Sequence, residues 1–338
     1  MAIGLDATYS LGKHPSGVAV YSREILFGLA RLHPEERFRF YYRPHRFLPS
    51  LKTPVPRNVG RRILGGAPRT PIFHALNQRV DDRARRTVTT FHDLFVMTAE
   101  YSSPEFRARF TEQAKLAAER SDLVIAVSCF TARQVEELLG VERARIRVIP
   151  HGTRAPSGPS AQREKLVLTV GAVQKRKNTA RLIQAFETMP SGWKLAIAGS
   201  AQGYGAEQEL EALERSGRRA DIQVLGYVNA DTLESLYARA GMFVFPSLDE
   251  GFGMPVLDAM ARGVPVVASN RSAVPEAAGS AAVLVDPEDA DELREAMLRV
   301  ATDETLRRDL VRLGLRRASE MTWESAVEKT WNVYQELR

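Results

Sequence analysis

Short apolar runs alternate along the whole chain with longer stretches in which apolar residues recur every three or four positions. The short runs read as buried strands and the longer stretches as amphipathic helices. In the first half strands are expected near 2–7, 37–42, 71–74, 87–92, 123–127 and 146–149, and helices over 17–31, 104–120 and 130–139. Residues 43–70 carry several Pro and Arg without a clear period and read as a long loop. The pattern then restarts. A strand at 166–170 ends in Gly171, and helix 178–187, strand 193–198, helix 205–216, strand 222–225 and helix 230–239 follow. Next comes a compact unit: an apolar strand Met242–Phe245, a glycine turn Glu250-Gly-Phe-Gly253, a helix opened by Pro255 and closed by Gly263, and a second strand, Val264–Ala268. Helices near 289–300, 303–318 and 323–337 finish the chain, with Trp323 and Trp331 expected in the core. Strands alternating with helices predict parallel α/β sheets. The restart predicts two Rossmann-like domains, 1–152 and 166–320, a Pro/Gly/Ser-rich linker at 153–165, and a closing segment 321–338.

Composition changes this picture little. A chain of 338 residues has material for about two cores, and 44% apolar with 26% charged is ordinary for a globular protein. No apolar stretch reaches membrane-helix length, and the chain opens on a strand, so no signal peptide is expected. Cys129 is the only cysteine, which excludes an intrachain disulfide and fits a reducing cytoplasm. One Cys and six scattered His give no metal-ligand cluster, so no metal is expected.

Charge is more informative. Residues 1–150 hold 24 Lys and Arg against 15 Asp and Glu, whereas residues 151–338 hold 23 against 26. The excess lies between Arg31 and Arg86, with 14 basic and 4 acidic residues. It reads either as solvated arginine or as a face for anionic lipid or a phosphorylated acceptor, and the expectation includes peripheral contact with a membrane. No nucleic-acid module accompanies it, so nucleic acid is not an expected partner.

Three places carry candidate chemistry. The turn at Glu250–Gly253 leads into a helix N-terminus, where backbone N–H groups and the helix dipole favour an anion. Glu250 adds an acceptor for hydroxyls, and Asp258 lies eight residues on. In Gly171-Ala-Val-Gln-Lys-Arg-Lys-Asn178, a turn between strand and helix, Arg176 and Lys177 could clamp a diphosphate. Phe91-His-Asp-Leu94 ends a strand, with Asp93 placed to orient the His92 ring. His74 ends another strand and is a weaker candidate. Ser128 and Thr131 read as helix caps.

The block Pro246–Ser269, the Arg176–Asn178 loop, the Phe91–Leu94 strand end and Ser272-Ala-Val-Pro-Glu276 together resemble the retaining glycosyltransferases of family 4, which have the GT-B fold. The resemblance runs nearly end to end. It implies two Rossmann-like domains facing a cleft, the first on the acceptor side and the second binding a nucleotide-diphospho-sugar, with the closing helix crossing back to the first. It assigns Lys177, Arg176, Glu250 and His92 to catalysis. Gly171, Asn178, Tyr227, Val228, Gly251, Phe252, Gly253, Met254, Pro255 and Asp258 would bind the donor, and Gly17 and Asp93 would lie at the acceptor loop. The chain departs from the family at Asp258, where a second Glu is usual, at Ala172, where many members have Arg, and at Ala19, where Gly is usual.

The resulting expectation is a cytoplasmic, metal-independent, retaining hexosyltransferase of envelope polysaccharide synthesis, needing no cofactor. GDP-mannose is the first donor expected and a UDP-sugar the second, with a glycan or lipid-linked acceptor. One rival is a weakened relative that only binds nucleotide or glycan. The other, a nicotinamide-dependent dehydrogenase, lacks Gly-x-Gly-x-x-Gly after its first strand.

Overall fold

The computed structural model describes residues 2–12, 16–156 and 162–338. Pro15, at the start of the expected acceptor loop, and 157–161 of the expected linker lie outside the described residues. The chain divides into two compact units. The first comprises 1–98, 104–152 and 322–338, and the second 99–103 and 153–321.

The first unit is built on a seven-stranded sheet: β1 (Ala2–Asp6), β2 (Arg37–Tyr42), β3 (Val59–Ile63), β4 (Ile72–Ala75), β5 (Arg86–Phe91), β6 (Leu123–Ala126) and β7 (Ile146–Val148). The order is β3-β2-β1-β4-β5-β6-β7 and every pairing is parallel. Central strands are near-continuous apolar runs because helices cover both faces. Ile3, Leu5, Val124 and Ile125 are fully buried. The stretch 43–70 is more structured than its composition suggests. It forms a helix, Pro44–Ser50, with Pro at the first turn, and the edge strand β3. β3 reads Val-Gly-Arg-Arg-Ile with no fully buried position. An edge strand needs only one neighbour for its ladder and can stay polar, so it leaves no apolar signal.

The helix Trp323–Gln335 belongs to this unit and packs along Gly17–Leu32. Close approach is allowed by Gly28, where an added Cβ would lie 2.5 Å from a Val327 methyl. His74 is fully buried in the same layer, with Nδ1 2.6 Å from the Tyr334 hydroxyl and Nε2 2.8 Å from Thr90 Oγ1. Both ring nitrogens are therefore spent on structure, which corrects its candidacy for substrate contact. Trp323 is buried, whereas Trp331 is partly exposed, stacked on His33 at 3.9 Å under the Arg338 guanidinium. Ser128 caps the helix Cys129–Leu139, accepting from Thr131 N at 2.9 Å, while Thr131 sits inside that helix.

The second unit carries a six-stranded parallel sheet: β8 (Leu166–Val170), β9 (Lys194–Ala198), β10 (Ile222–Gly226), β11 (Met242–Phe245), β12 (Val266–Ser269) and β13 (Ala282–Val285), in the order β10-β9-β8-β11-β12-β13. The strand order turns back between β8 and β11, the place where open α/β sheets leave a crevice at their carboxyl ends. The helix Val274–Ala278 and β13 are additions to the elements expected from the pattern.

Candidate active site

The turn after β8 and the turn after β11 meet at that switch point. Gly171, at φ +149°, starts the first turn, and its N–H donates to Ala198 O at 2.9 Å. Gly199 passes so closely that an added Cβ would overlap the Gly171 carbonyl, so two glycines let the loops after β8 and β9 touch. Lys175–Lys177 form a single 3₁₀ turn, and Asn178 adopts the left-handed conformation, φ 57°, before the helix Thr179–Phe186. The Asn178 amide donates to Pro246 O at 3.2 Å and Pro287 O at 2.6 Å. It therefore pins the loops after β11 and β13 together.

This turn delivers two cations to one carboxylate. Arg176 Nη1 lies 2.8 Å from Glu250 Oε2, and Lys177 Nζ donates to Oε1 of the same group. Arg176 also donates to Asp249 O, and Leu248 N donates to Arg176 O at 2.8 Å. Lys177 stands 4.7 Å from the centre of the Phe245 ring, a cation–π contact. The three side chains are only 10–15% exposed. Burial by itself would push the Glu250 carboxyl up. The Arg176 and Lys177 charges and their hydrogen bonds overcome it and hold the group at about 2, against an ordinary 4.5. Glu250 is thus an anion throughout the physiological range.

Backbone fixes the position of Glu250. Its N–H donates to Ser272 Oγ at 2.9 Å, and its carbonyl accepts from Ala273 N at 3.2 Å. Ser272 sits at φ 53°, one of two non-glycine residues with positive φ among those described. Gly251, Phe252 and Gly253 are buried, and Gly253, at φ +111°, caps the helix Met254–Ala261 with Pro255 in its first turn. Ser247 is buried with a hydroxyl that has no hydrogen-bond partner among the described residues, and it shares a small enclosed space with Gly171 and Lys177.

Asp258 lies on the helix Met254–Ala261, where Oδ1 accepts from Thr153 Oγ1 at 2.6 Å and faces Arg262 at 3.7 Å. Tyr227 is exposed after β10, and Val228 packs against the core. The remaining candidates lie in the first unit. Gly17 opens the helix Gly17–Leu32, capped by Ser16. His92 is buried edge-on against Tyr21, and Nε2 is 2.9 Å from Leu76 O. The Leu76 carbonyl therefore holds one nitrogen of the ring. Burial lowers the His92 imidazole to about 4, so it stays neutral. Among the described residues, no group of three or more His, Cys, Asp or Glu could hold a metal ion.

Sequence reasoning named Arg176, Lys177 and Glu250 individually but did not foresee their mutual pairing. It also missed Asn178 as a pin and Phe245 as the surface under Lys177. These depend on segments about 70 residues apart meeting, which no local pattern records.

Residues 154–316 match the family described as Glycosyl transferases group 1, and residues 15–155 match Glycosyltransferase Family 4. The chain belongs to glycosyltransferase family 4. Over 283 residues it is 33% identical to the O-antigen chain mannosyltransferase B of Escherichia coli, covering 79% of this chain and 74% of that one. It is 29% identical over 261 residues to the serotype-specific mannosyltransferase WbdA of Escherichia coli, covering 70% of this chain but only 32% of that protein. Sucrose-phosphate synthase from Thermosynechococcus elongatus shares the fold at a TM-score of 0.79 and 20% identity, covering 100% of this chain and 99% of that one. HepE from Anabaena, solved with UDP and glucose, does so at 0.75 and 17%, covering 99% of each. The fold is GT-B. No helix among the described residues is long and apolar enough to cross a membrane.

Proposed function

We propose that the protein is a retaining glycosyltransferase of envelope polysaccharide synthesis, moving mannose from GDP-mannose to a glycan or lipid-linked acceptor without a metal. The observation that carries this is the pairing of Arg176 and Lys177 on the Glu250 carboxylate at the carboxyl ends of β8 and β11. A departing nucleoside diphosphate develops negative charge, and fixed cations and backbone dipoles stabilise it without reorganising. Lys177, Arg176 and the N–H groups entering the helix Met254–Ala261 supply these, and the orphaned Ser247 hydroxyl adds a donor beside Lys177. Glu250 and the Gly251–Met254 backbone would hold the sugar hydroxyls, and Asp258 the ribose. Attack on the same face, with the departing phosphate taking the acceptor proton, requires no carboxylate pair at glycosidase spacing. His92, neutral, would offer a hydrogen bond to the sugar rather than a charge. The likeness to mannosyltransferases of Escherichia coli supports mannose, and HepE's complex with UDP and glucose keeps a UDP-sugar as the second donor.

The test is Lys177→Ala, assayed for sugar transfer and for melting temperature. Turnover is expected to fall by about a hundredfold or more, the scale of removing one charge-stabilising donor, while the melting temperature falls less than in Glu250→Gln because Arg176 still pairs with the Glu250 carboxylate. Near-normal turnover would count decisively against the assignment. Donor identity follows from thermal shifts with GDP, UDP, ADP and dTDP, with and without EDTA, because a ligand that binds only the folded form raises the melting temperature.

A further inference from the structure

The first unit holds a second group of cations that donor chemistry does not use. A cavity of about 490 Å³ opens where β1 and β2 end. Thr8 and Tyr9 follow β1, Arg43, His45 and Arg46 follow β2, and Arg79 follows β4. In this sheet β2 lies on one side of β1 and β4 on the other, so the cavity sits at the unit's own topological switch point, where open α/β sheets bind ligands.

The charges there are incompletely matched. Arg43 Nη1 and Arg79 Nε both donate to the single carboxylate of Asp81, the latter at 2.8 Å. Arg43 Nε and Nη2 are buried and have no partner among the described residues. Arg46 makes no ion pair or side-chain hydrogen bond among them. The Asp81 carboxylate pairs with Arg43 and Arg79, the buried Asp6 carboxyl also acts on Arg43, and Arg46 and His45 line the same cavity. The Asp6 carboxyl, deeper and buried, is occupied by Thr8 N at 2.9 Å. Thr8 Oγ1 in turn accepts from Arg43 N at 3.1 Å, which ties the ends of β1 and β2 and fixes the start of the arginine side chain. Buried guanidinium N–H groups without acceptors are costly, and a ligand that supplies oxygens relieves that cost. Forked donors match phosphate oxygens in particular, whereas neutral sugar hydroxyls would leave the charge uncompensated.

We propose that this cavity seats a phosphate ester carried by the acceptor. The proposal rests on the transferase reading for its biological meaning, but its test does not. The full-length protein is titrated calorimetrically with glycerol 1-phosphate, with glycerol as the neutral control, and separately with GDP and UDP. Binding of the ester and not of glycerol is expected. Arg46→Gln and Arg79→Gln should each weaken the ester by about tenfold, the scale of one charge-assisted hydrogen bond, and leave nucleotide binding unchanged. Arg46→Gln breaks no ion pair or side-chain hydrogen bond among the described residues, so it keeps the test clear of folding defects. Lys177→Ala should do the reverse. Weakening of the ester by Lys177→Ala alone would place it in the donor site and overturn the proposal, as would equal binding in all variants or none in the wild type. If no nucleotide binds but the ester result holds, the donor reading fails and this one stands. Sedimentation with phosphatidylglycerol vesicles, against phosphatidylcholine, separates the sources. Loss of vesicle binding in Arg46→Gln assigns the phosphate to a lipid, and unchanged vesicle behaviour with lost ester binding assigns it to a soluble ester.

Discussion

Glu250→Gln is the sharpest perturbation of the donor region, because it changes one charge and almost no volume. A carboxyl held at about 2 in the folded protein and at 4.5 when free contributes about 3 kcal/mol above pH 4.5. The sign follows from its lowered value. The contribution is complete above the free value and fades as pH falls from 4.5 towards 2. Removing one partner from a buried ion pair costs a comparable 3–5 kcal/mol, roughly, because the other charges are left uncompensated. For a unit of this size about 3 kcal/mol lowers the melting temperature by about 6–12 °C. The same substitution removes the anion that already engages Arg176 and Lys177, so an incoming diphosphate meets one more net positive charge. Scanning calorimetry with and without GDP and UDP should therefore show Glu250→Gln melting lower than wild type when empty, but with a larger nucleotide-induced upshift. Sugar transfer should fall, since the charge and one of the two acceptor oxygens are gone. An unchanged melting temperature would refute the buried-pair argument. A smaller nucleotide shift would refute the view that Glu250 offsets these cations in the empty protein.

Acid should weaken the first unit early. Burial lowers His74 to about 3 and His92 to about 4, so the unfolded chain takes up protons below pH 6.5 while the folded one does not. Stability is complete above 6.5 and lost as pH falls, at pH 5 by about 2 kcal/mol per histidine, and urea titrations at pH 7 and 5 that gave the same midpoint would contradict this. Asp258→Glu should tighten nucleotide binding by a few-fold, because one added methylene extends the carboxylate beyond Thr153, and calorimetry that finds no change would remove Asp258 from the donor site. Gly199→Ala should lower both stability, by about 2 kcal/mol or more, and nucleotide affinity, because its Cβ displaces the Gly171 loop; a variant that binds as wild type would show that the loop tolerates the shift.

Most strands and the helices between them were legible because a parallel sheet covered on both faces demands unbroken apolar runs, as in Leu123–Ala126 and Met242–Phe245. β3 escaped because an edge strand made of Val-Gly-Arg-Arg-Ile carries no such demand. The glycine turn at Glu250–Gly253 was legible for a different reason: a φ of +111° at Gly253 leaves little choice of residue. What the sequence did not show is which side chains would meet. Arg176 and Lys177 read as free cations waiting for a phosphate, yet both pair with the Glu250 carboxylate. That follows from burial: charges this far from water must be compensated, so the two cations sit against a carboxylate of the chain's own. The same logic distinguishes the two basic sites. Around Glu250 a carboxylate lies against both cations, and under the proposed function selectivity would come from geometry and from the hydroxyls it would accept. Around Arg43 the partners are more open to water, with Arg79 39% exposed against 10–15% for the Glu250 cluster, so affinity there should follow ionic strength more steeply than nucleotide binding does, since exposed charges lose more to screening.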